Sequence, residues 1–146
     1  MMICVVYSSR YGKNQHCARL LTTNFRAAGQ ETNLYSVGEV RPRSLPDARF
    51  YVFWAPPGFT GRPPQTIVRF ARVLGRTRVS PRYAVASVRR AGSASMSPRL
   101  AQILEGAGFE KHGPRLDLDA EKSGTIEAGY EERLAAFADD CIRSRS

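Results

Sequence analysis

Short apolar runs alternate with amphipathic segments along the whole chain. The apolar runs predict five strands, at residues 3–7, 31–37, 48–55, 83–88 and 109–118. Apolar residues at helical spacing predict helices at 13–28, 64–74, 98–106 and 127–142, with Ser97 as a helix cap. Pro42 and Pro46 make any helix between residues 38 and 47 short or irregular. This alternation is typical of an α/β protein, a doubly wound sheet of five parallel strands with helices on both faces.

The length of 146 residues fits one domain spanning residues 1–146, without repeats or a linker. The start of the chain has neither a basic segment nor a long apolar run, so we expect a cytoplasmic protein with no transmembrane segment. Three widely spaced cysteines without a C-x-x-C motif exclude a complete disulfide framework and a cysteine-rich zinc site.

The net charge of +9 is concentrated in the middle of the chain, where residues 41–100 hold twelve arginines against Asp47 alone. Such a surface attracts phosphates, acidic proteins or anionic membrane surfaces. A solvated, arginine-rich surface without a partner is an equally open interpretation.

A polar turn follows the first strand and opens the first helix. It combines the hydroxyls of Ser8 and Ser9, the cations Arg10 and Lys13, and the N–H groups of a helix N-terminus, which bind anions well. Ligands of open α/β sheets bind beyond the carboxyl ends of the strands. The sequence therefore predicts a phosphate-binding turn, with a Ser/Asn helix cap beside solvated cations as the alternative.

Two classes of nucleotide site are excluded at this turn. No G-x-G-x-x-G motif follows the strand, so the dinucleotide fingerprint is absent. Gly12 and Lys13 match the end of a P-loop, but Tyr7 occupies the earlier glycine position and Asn14 replaces the Ser/Thr that holds magnesium. The turn suits a single phosphate without a metal.

Three segments together resemble the short-chain flavodoxins, over nearly all of the chain. They are residues 7–14 (YSSRYGKN), 37–54, and 55–61 (APPGFTG), in the order and at the spacing of that family. The resemblance implies a flavodoxin-like fold and flavin mononucleotide (FMN) as cofactor.

The resemblance also implies which residues bind FMN. Around the phosphate they would be Ser8, Ser9, Arg10, Tyr11, Gly12, Lys13 and Asn14, whose amide would donate to a phosphate oxygen. Beside the flavin ring they would be Pro57, Gly58, Phe59, Thr60 and Gly61, with Phe59 stacked on one face. A loop after the fourth strand would add Ser87, Arg89, Arg90 and Gly92.

Three features depart from the family pattern. Pro56 and Pro57 remove two backbone N–H donors from the loop at residues 55–61, which we call the flavin loop. Residues 87–93 lack the tyrosine that many flavodoxins stack on the second face of the flavin ring. Flavodoxins are usually acidic, whereas this chain has a pI near 10.1.

No constellation of side chains suggests acid–base, nucleophilic or metal catalysis, since His16 and His112 are isolated in the sequence. We therefore favour an FMN-binding electron carrier over a substrate-converting enzyme, with an acidic redox protein as its partner.

One alternative is an FMN-dependent oxidoreductase of the protoporphyrinogen-oxidising type, whose basic face would suit anionic porphyrins or a membrane surface. The other is a binding module that has lost FMN. DNA or RNA is not expected as a partner, because exposed aromatic residues are not interleaved with the arginines.

Overall fold

The computed structural model describes residues 2–8, 12–56, 61–91, 95–121 and 124–144. Its strands are β1 (Ile3–Tyr7), β2 (Thr32–Ser36), β3 (Phe50–Trp54), β4 (Arg82–Arg90) and β5 (Glu110–Ala120). Its helices are α1 (Gly12–Ala27), α2 (Gln65–Thr77), α3 (Ser97–Gly106) and α4 (Tyr130–Arg143). A 3₁₀ turn at Pro42–Ser44 lies where the two prolines predicted irregular structure.

The five strands form one parallel sheet in the order β2-β1-β3-β4-β5. The chain moves outward from β1 to β2, then returns to build the other half of the sheet, which places helices on both faces. The predicted fold class is confirmed. Tyr7 pairs with both Ser36 and Trp54, so β1, β2 and β3 end level with one another at the carboxyl edge.

Each face of the sheet is covered by two helices, which explains why the central strands β1 and β3 are apolar at every position. Ile3 and Val5 pack with α1 and α4 on one face, whereas Cys4 and Val6 pack with α2 and α3 on the other. All five residues of the central strand β3 are buried. Because each helix follows a strand of this parallel sheet, the helix N-termini lie at the carboxyl edge, where the candidate site lies.

The fourth strand is longer than its apolar run. We predicted residues 83–88, but β4 continues to Arg90 because Arg89 and Arg90 pair with Asp119 and Ala120 of β5. Arg89 and Arg90, predicted to lie in a loop, therefore lie on a strand. Beyond Ala86, which pairs with Trp54, β4 extends past the end of β3.

The fifth strand contains Gly113 and Pro114 and continues past them because its pairing with β4 shifts register there. Tyr83 pairs with Lys111, but Val85 pairs with Arg115, so the strand bulges between them. Gly113 also permits close packing, since a Cβ there would lie 3.1 Å from Sγ of Cys141 on α4.

The predicted cap of α3 was wrong. Met96 occupies the N-cap position and makes no side-chain cap, while Ser97 is the first helical residue. The Ser97 hydroxyl instead donates to Oδ2 of Asp117 at 2.8 Å. The carboxylate on the neighbouring strand thus outcompetes the local backbone for this hydroxyl.

Candidate functional site

The candidate site begins where β1 leads into α1. The Ser8 N–H donates to the Trp54 carbonyl at 2.9 Å, which fixes the turn to the end of β3. The Ser8 hydroxyl lies 3.0 Å from the hydroxyl of Thr66, near the start of α2. Ser8 therefore joins the beginnings of two helices at the carboxyl edge.

The N-terminus of α1 has the electrostatic character that an anion requires. Its first turn contains no acidic residue, and its first N–H groups have no partner within the helix. Gly12 begins the helix, and a Cβ there would meet no atom within 4 Å, which leaves the backbone open to approach.

Lys13 is exposed in this first turn and extends toward the connection between β5 and α4. A Cβ added to Gly124 would lie only 3.2 Å from the Lys13 Nζ atom. Gly124 has a φ of +94°, a conformation that disfavours a side chain in any case. The predicted cation is thus present at the helix N-terminus, beside a glycine.

Asn14 is buried, with 7% of its surface exposed. Its Oδ1 accepts hydrogen bonds from Nε1 of Trp54 at 2.7 Å and from the Val88 N–H at 2.9 Å. Its Nδ2 donates to the Val88 carbonyl at 3.4 Å. The Asn14 side chain therefore makes the hydrogen bonds with the Val88 backbone that a neighbouring strand would otherwise make, at the point where β3 has ended.

Ser87 makes a second link across the same gap. Its buried hydroxyl donates to the Ala55 carbonyl at 2.6 Å. Asn14 and Ser87, both predicted to bind the cofactor, direct their side chains into the protein in this arrangement. Their contact with a cofactor stays a prediction, while their structural role is visible in these hydrogen bonds.

Arg89 is held at the end of β4 by an acidic partner. Its Nε donates to Oδ1 of Asp119 at 2.8 Å, and this hydrogen bond raises the pKa of the guanidinium. Glu127 accepts from the Asp119 N–H and also pairs with Arg133 at 2.7 Å. Asp119 and Glu127 thereby anchor the end of β4 to the segment that precedes α4.

Gly61 is buried and has a φ of +73°, a conformation that glycine adopts without strain. The remaining predicted residues lie outside the described part of the chain. They are Ser9, Arg10, Tyr11, Pro57, Gly58, Phe59, Thr60 and Gly92.

Neither a protein-family model nor a curated protein sequence matches the chain. Solved structures do match. A flavodoxin from Streptococcus pneumonia TIGR4 superposes with a TM-score of 0.81 at 16% identity, covering 97% of this chain and 98% of that one. Flavodoxin 1 from Bacillus cereus gives 0.81 at 14% identity, covering 100% of both. A flavodoxin variant from Fusobacterium nucleatum, solved with FMN bound, gives 0.73 at 9% identity, covering 97% and 95%.

The protein is flavodoxin-like in fold. The predicted resemblance is confirmed at that level. The flavodoxin-like sheet also explains why the turn after β1 and the ends of β3 and β4 meet at one edge.

A cavity of about 670 Å³ lies at the opposite, amino edge of the flavodoxin-like sheet, lined in part by Arg49, Arg78 and Arg82. Arg49 donates to the Ile142 carbonyl at the end of α4, and Arg78 donates to the Thr77 carbonyl at the end of α2. Cations at helix C-termini complement the helix dipoles. The contacts of Arg49 and Arg78 therefore have a structural explanation, and the cavity is remote from the carboxyl edge.

The cysteines and His112 belong to the core of the flavodoxin-like protein. Burial raises the pKa of Cys4 to about 12, of Cys17 to about 11 and of Cys141 to about 12, so the thiols stay neutral. His112 Nε2 lies 2.8 Å from the Cys141 carbonyl, and its ring stacks on Phe50. Within the described residues no group of His, Cys, Asp or Glu could hold a metal ion, and no helix is long and apolar enough to cross a membrane.

Proposed function

We propose that the protein is a cytoplasmic, FMN-binding electron carrier. The observation that supports it most is the N-terminus of α1, which is free of acidic residues, carries Lys13 and lies at the carboxyl edge of a flavodoxin-like sheet. The donors available there suit a phosphate group, because N–H groups and a lysine ammonium can only donate hydrogen bonds.

Under this proposal the FMN phosphate binds at the turn between β1 and α1. The N–H groups at the start of α1 and the Ser8 hydroxyl would bind its oxygens, and Lys13 would supply charge. Ser9, Arg10 and Tyr11 complete the proposed turn. Asn14 and Ser87 would support the site without contacting the phosphate. Asn14 fixes the start of α1 to β4, and Ser87 fixes the end of β3 to β4.

The flavin ring would lie beside residues 57–61 and the end of β4. When bound, FMN supplies the redox chemistry, since it takes up and releases one or two electrons. Arg89 and Arg90 add positive charge near the end of β4, and Asp119 offsets part of that of Arg89. The net charge of +9 further supports an acidic redox protein as the partner.

Comparing FMN with riboflavin, which lacks the phosphate, tests this proposal directly. Titrations followed by quenching of flavin fluorescence should show markedly tighter binding of FMN. Lys13→Glu should weaken FMN binding about five- to tenfold while leaving riboflavin binding nearly unchanged. Arg19→Glu makes the same charge change further along α1 at an exposed position and serves as the control.

Two results would contradict the proposal. One is the absence of saturable FMN binding at micromolar concentrations, which would favour a binding module with this fold. The other is equal affinity for FMN and riboflavin, or an equal loss in both variants, because the phosphate would then not bind at the start of α1.

A further inference from the structure

A groove between α2 and α3 is lined by four exposed arginines. It consists of two adjoining cavities of about 320 and 370 Å³, which share Arg72 and Ile103. Arg62, Arg72, Arg76 and Arg99 line it, and the buried side chain of Val68 contributes to its floor. We call this surface the arginine groove.

The charge of the arginine groove is not neutralised within the described protein. No carboxylate lines it, and none of its four arginines makes a hydrogen bond or an ion pair with a residue that the structure describes. Other arginines are used internally: Arg26 donates to the Thr32 carbonyl, and Arg133 pairs with Glu127. Like charges gathered in one groove repel one another, and an anionic partner would relieve that repulsion.

The arginine groove starts at the carboxyl edge of the sheet. Arg62 directly follows the proposed flavin loop, and Arg99 lies in the first turn of α3. From there the groove follows α2 to Arg76, over about 17 Å for the eleven residue steps from Gln65. A partner bound in it would therefore lie beside the edge at which the flavin is proposed to bind.

The shape and composition of the groove favour a protein segment over a nucleic acid. Val68 and Ile103 give it an apolar floor, and the described residues that line it include no aromatic side chain on which a base could stack. Arg72 and Arg76 are one helical turn apart, about 6 Å, which is the spacing of Glu side chains at i and i+4 on an opposing helix.

We propose that the arginine groove is the docking site for an acidic helical segment of a partner protein. The proposal rests on the function proposed above, because the acidic segment would belong to the redox partner. Carboxylates of the segment would pair with the guanidinium groups, and its apolar residues would cover Val68 and Ile103. The pairing would hold the partner beside the proposed flavin edge.

Fluorescence anisotropy with a labelled peptide tests the docking site. The probe is a helical peptide of about twelve residues, with Glu at i and i+4 and one Leu per turn; the same peptide with Gln in place of Glu is its control. Arg72→Gln/Arg76→Gln should weaken binding of the Glu peptide roughly tenfold. Arg19→Gln/Arg115→Gln lowers the net charge equally at exposed positions outside the groove and should change binding less than twofold.

Equal weakening in the two double variants would overturn the proposal, since binding would then reflect net charge alone. So would the lack of binding, or tighter binding of a duplex DNA of matched charge, which would assign the groove to nucleic acid. Thermal unfolding of each variant checks that the fold is retained. The peptide assay is performed with and without FMN, so failure of FMN binding and failure of groove binding are read separately.

Discussion

The indole N–H of Trp54 donates a 2.7 Å hydrogen bond to Oδ1 of Asn14, and the same oxygen accepts from the Val88 N–H. One side chain at the start of α1 thereby satisfies donors from β3 and β4. Because these atoms are buried, water cannot replace the acceptor without entering the core.

Replacing Asn14 should therefore destabilise the protein strongly. Asn14→Ala leaves two buried N–H donors without a partner, and we expect a loss of about 2–4 kcal/mol in the free energy of unfolding. Asn24→Ala, in the same helix but half-buried, is the matched control and should cost far less. Urea denaturation of both variants measures the difference. Equal losses would show that the hydrogen bonds of Asn14 to Trp54 and Val88 contribute nothing to the free energy of unfolding.

Combining Asn14→Ala with Trp54→Phe tests the pair itself. Trp54→Phe removes one donor but leaves Val88 bound to Asn14, so we expect a smaller hydrogen-bond loss than in Asn14→Ala. In the double variant the two losses should be less than additive, with a coupling of about 1 kcal/mol or more. Strict additivity in a double-mutant cycle would contradict the hydrogen bond.

Two glycines should respond in opposite ways to alanine. A Cβ on Gly75 in α2 would lie 2.3 Å from the Ala107 carbonyl oxygen, whereas one on Gly106 in α3 would meet no atom within 4 Å. We expect Gly75→Ala to cost about 1–3 kcal/mol, because backbone must move. Gly106→Ala should be neutral or stabilise by up to about 1 kcal/mol. Thermal unfolding that ranks the two variants the other way would refute this packing.

Stability should decrease as the pH falls through the range in which histidine is protonated. Burial lowers the pKa of His112; Arg49 and Arg82 lower it further, and the Cys141 carbonyl opposes only part of the shift. The unfolded chain thus takes up a proton near pH 6.5, at a higher pH than the folded protein does. The free energy of unfolding should consequently fall below about pH 6.5.

His112→Phe keeps a ring against Phe50 and should make this pH dependence shallower between pH 7.5 and 5. The matched change is His16→Phe, at an exposed position on α1. Denaturation curves across this range measure the slope. If both variants make the pH dependence shallower to the same extent, the buried imidazole of His112 is not the source of that dependence.

The three thiols should not react in the folded protein. Cys4, Cys17 and Cys141 are buried, and burial raises the pKa of each to about 11 or 12. A thiol reagent at neutral pH should therefore modify all three only as fast as the protein unfolds, and completely in denaturant. Rapid modification of a cysteine in the native protein would contradict this packing.

The fold could be predicted because its signals are local. Each β3 residue from Phe50 to Trp54 is apolar, as a strand covered on both faces must be. The order of a strand and then a helix at the start of the chain was predictable for the same reason, since both follow from local sequence. Phosphate binding between them stays a prediction.

The features that sequence alone did not predict depend on residues far apart in the chain. Arg89 extends β4 because Asp119 lies opposite, and Ser97 binds Asp117 instead of capping its helix. Asn14 bridges two strands, although a tryptophan at a strand end does signal the need for a buried acceptor. No local pattern states which side chain will meet that need.

Trp54 is the single tryptophan of the chain, and it is completely buried. Its link to Asn14 means that the environment of the indole depends on how the first helix begins. Ultraviolet emission from this one residue is therefore a built-in optical reporter for the end of the molecule at which we propose that the phosphate binds. This emission can be recorded without a label, and its wavelength is separate from that of flavin emission.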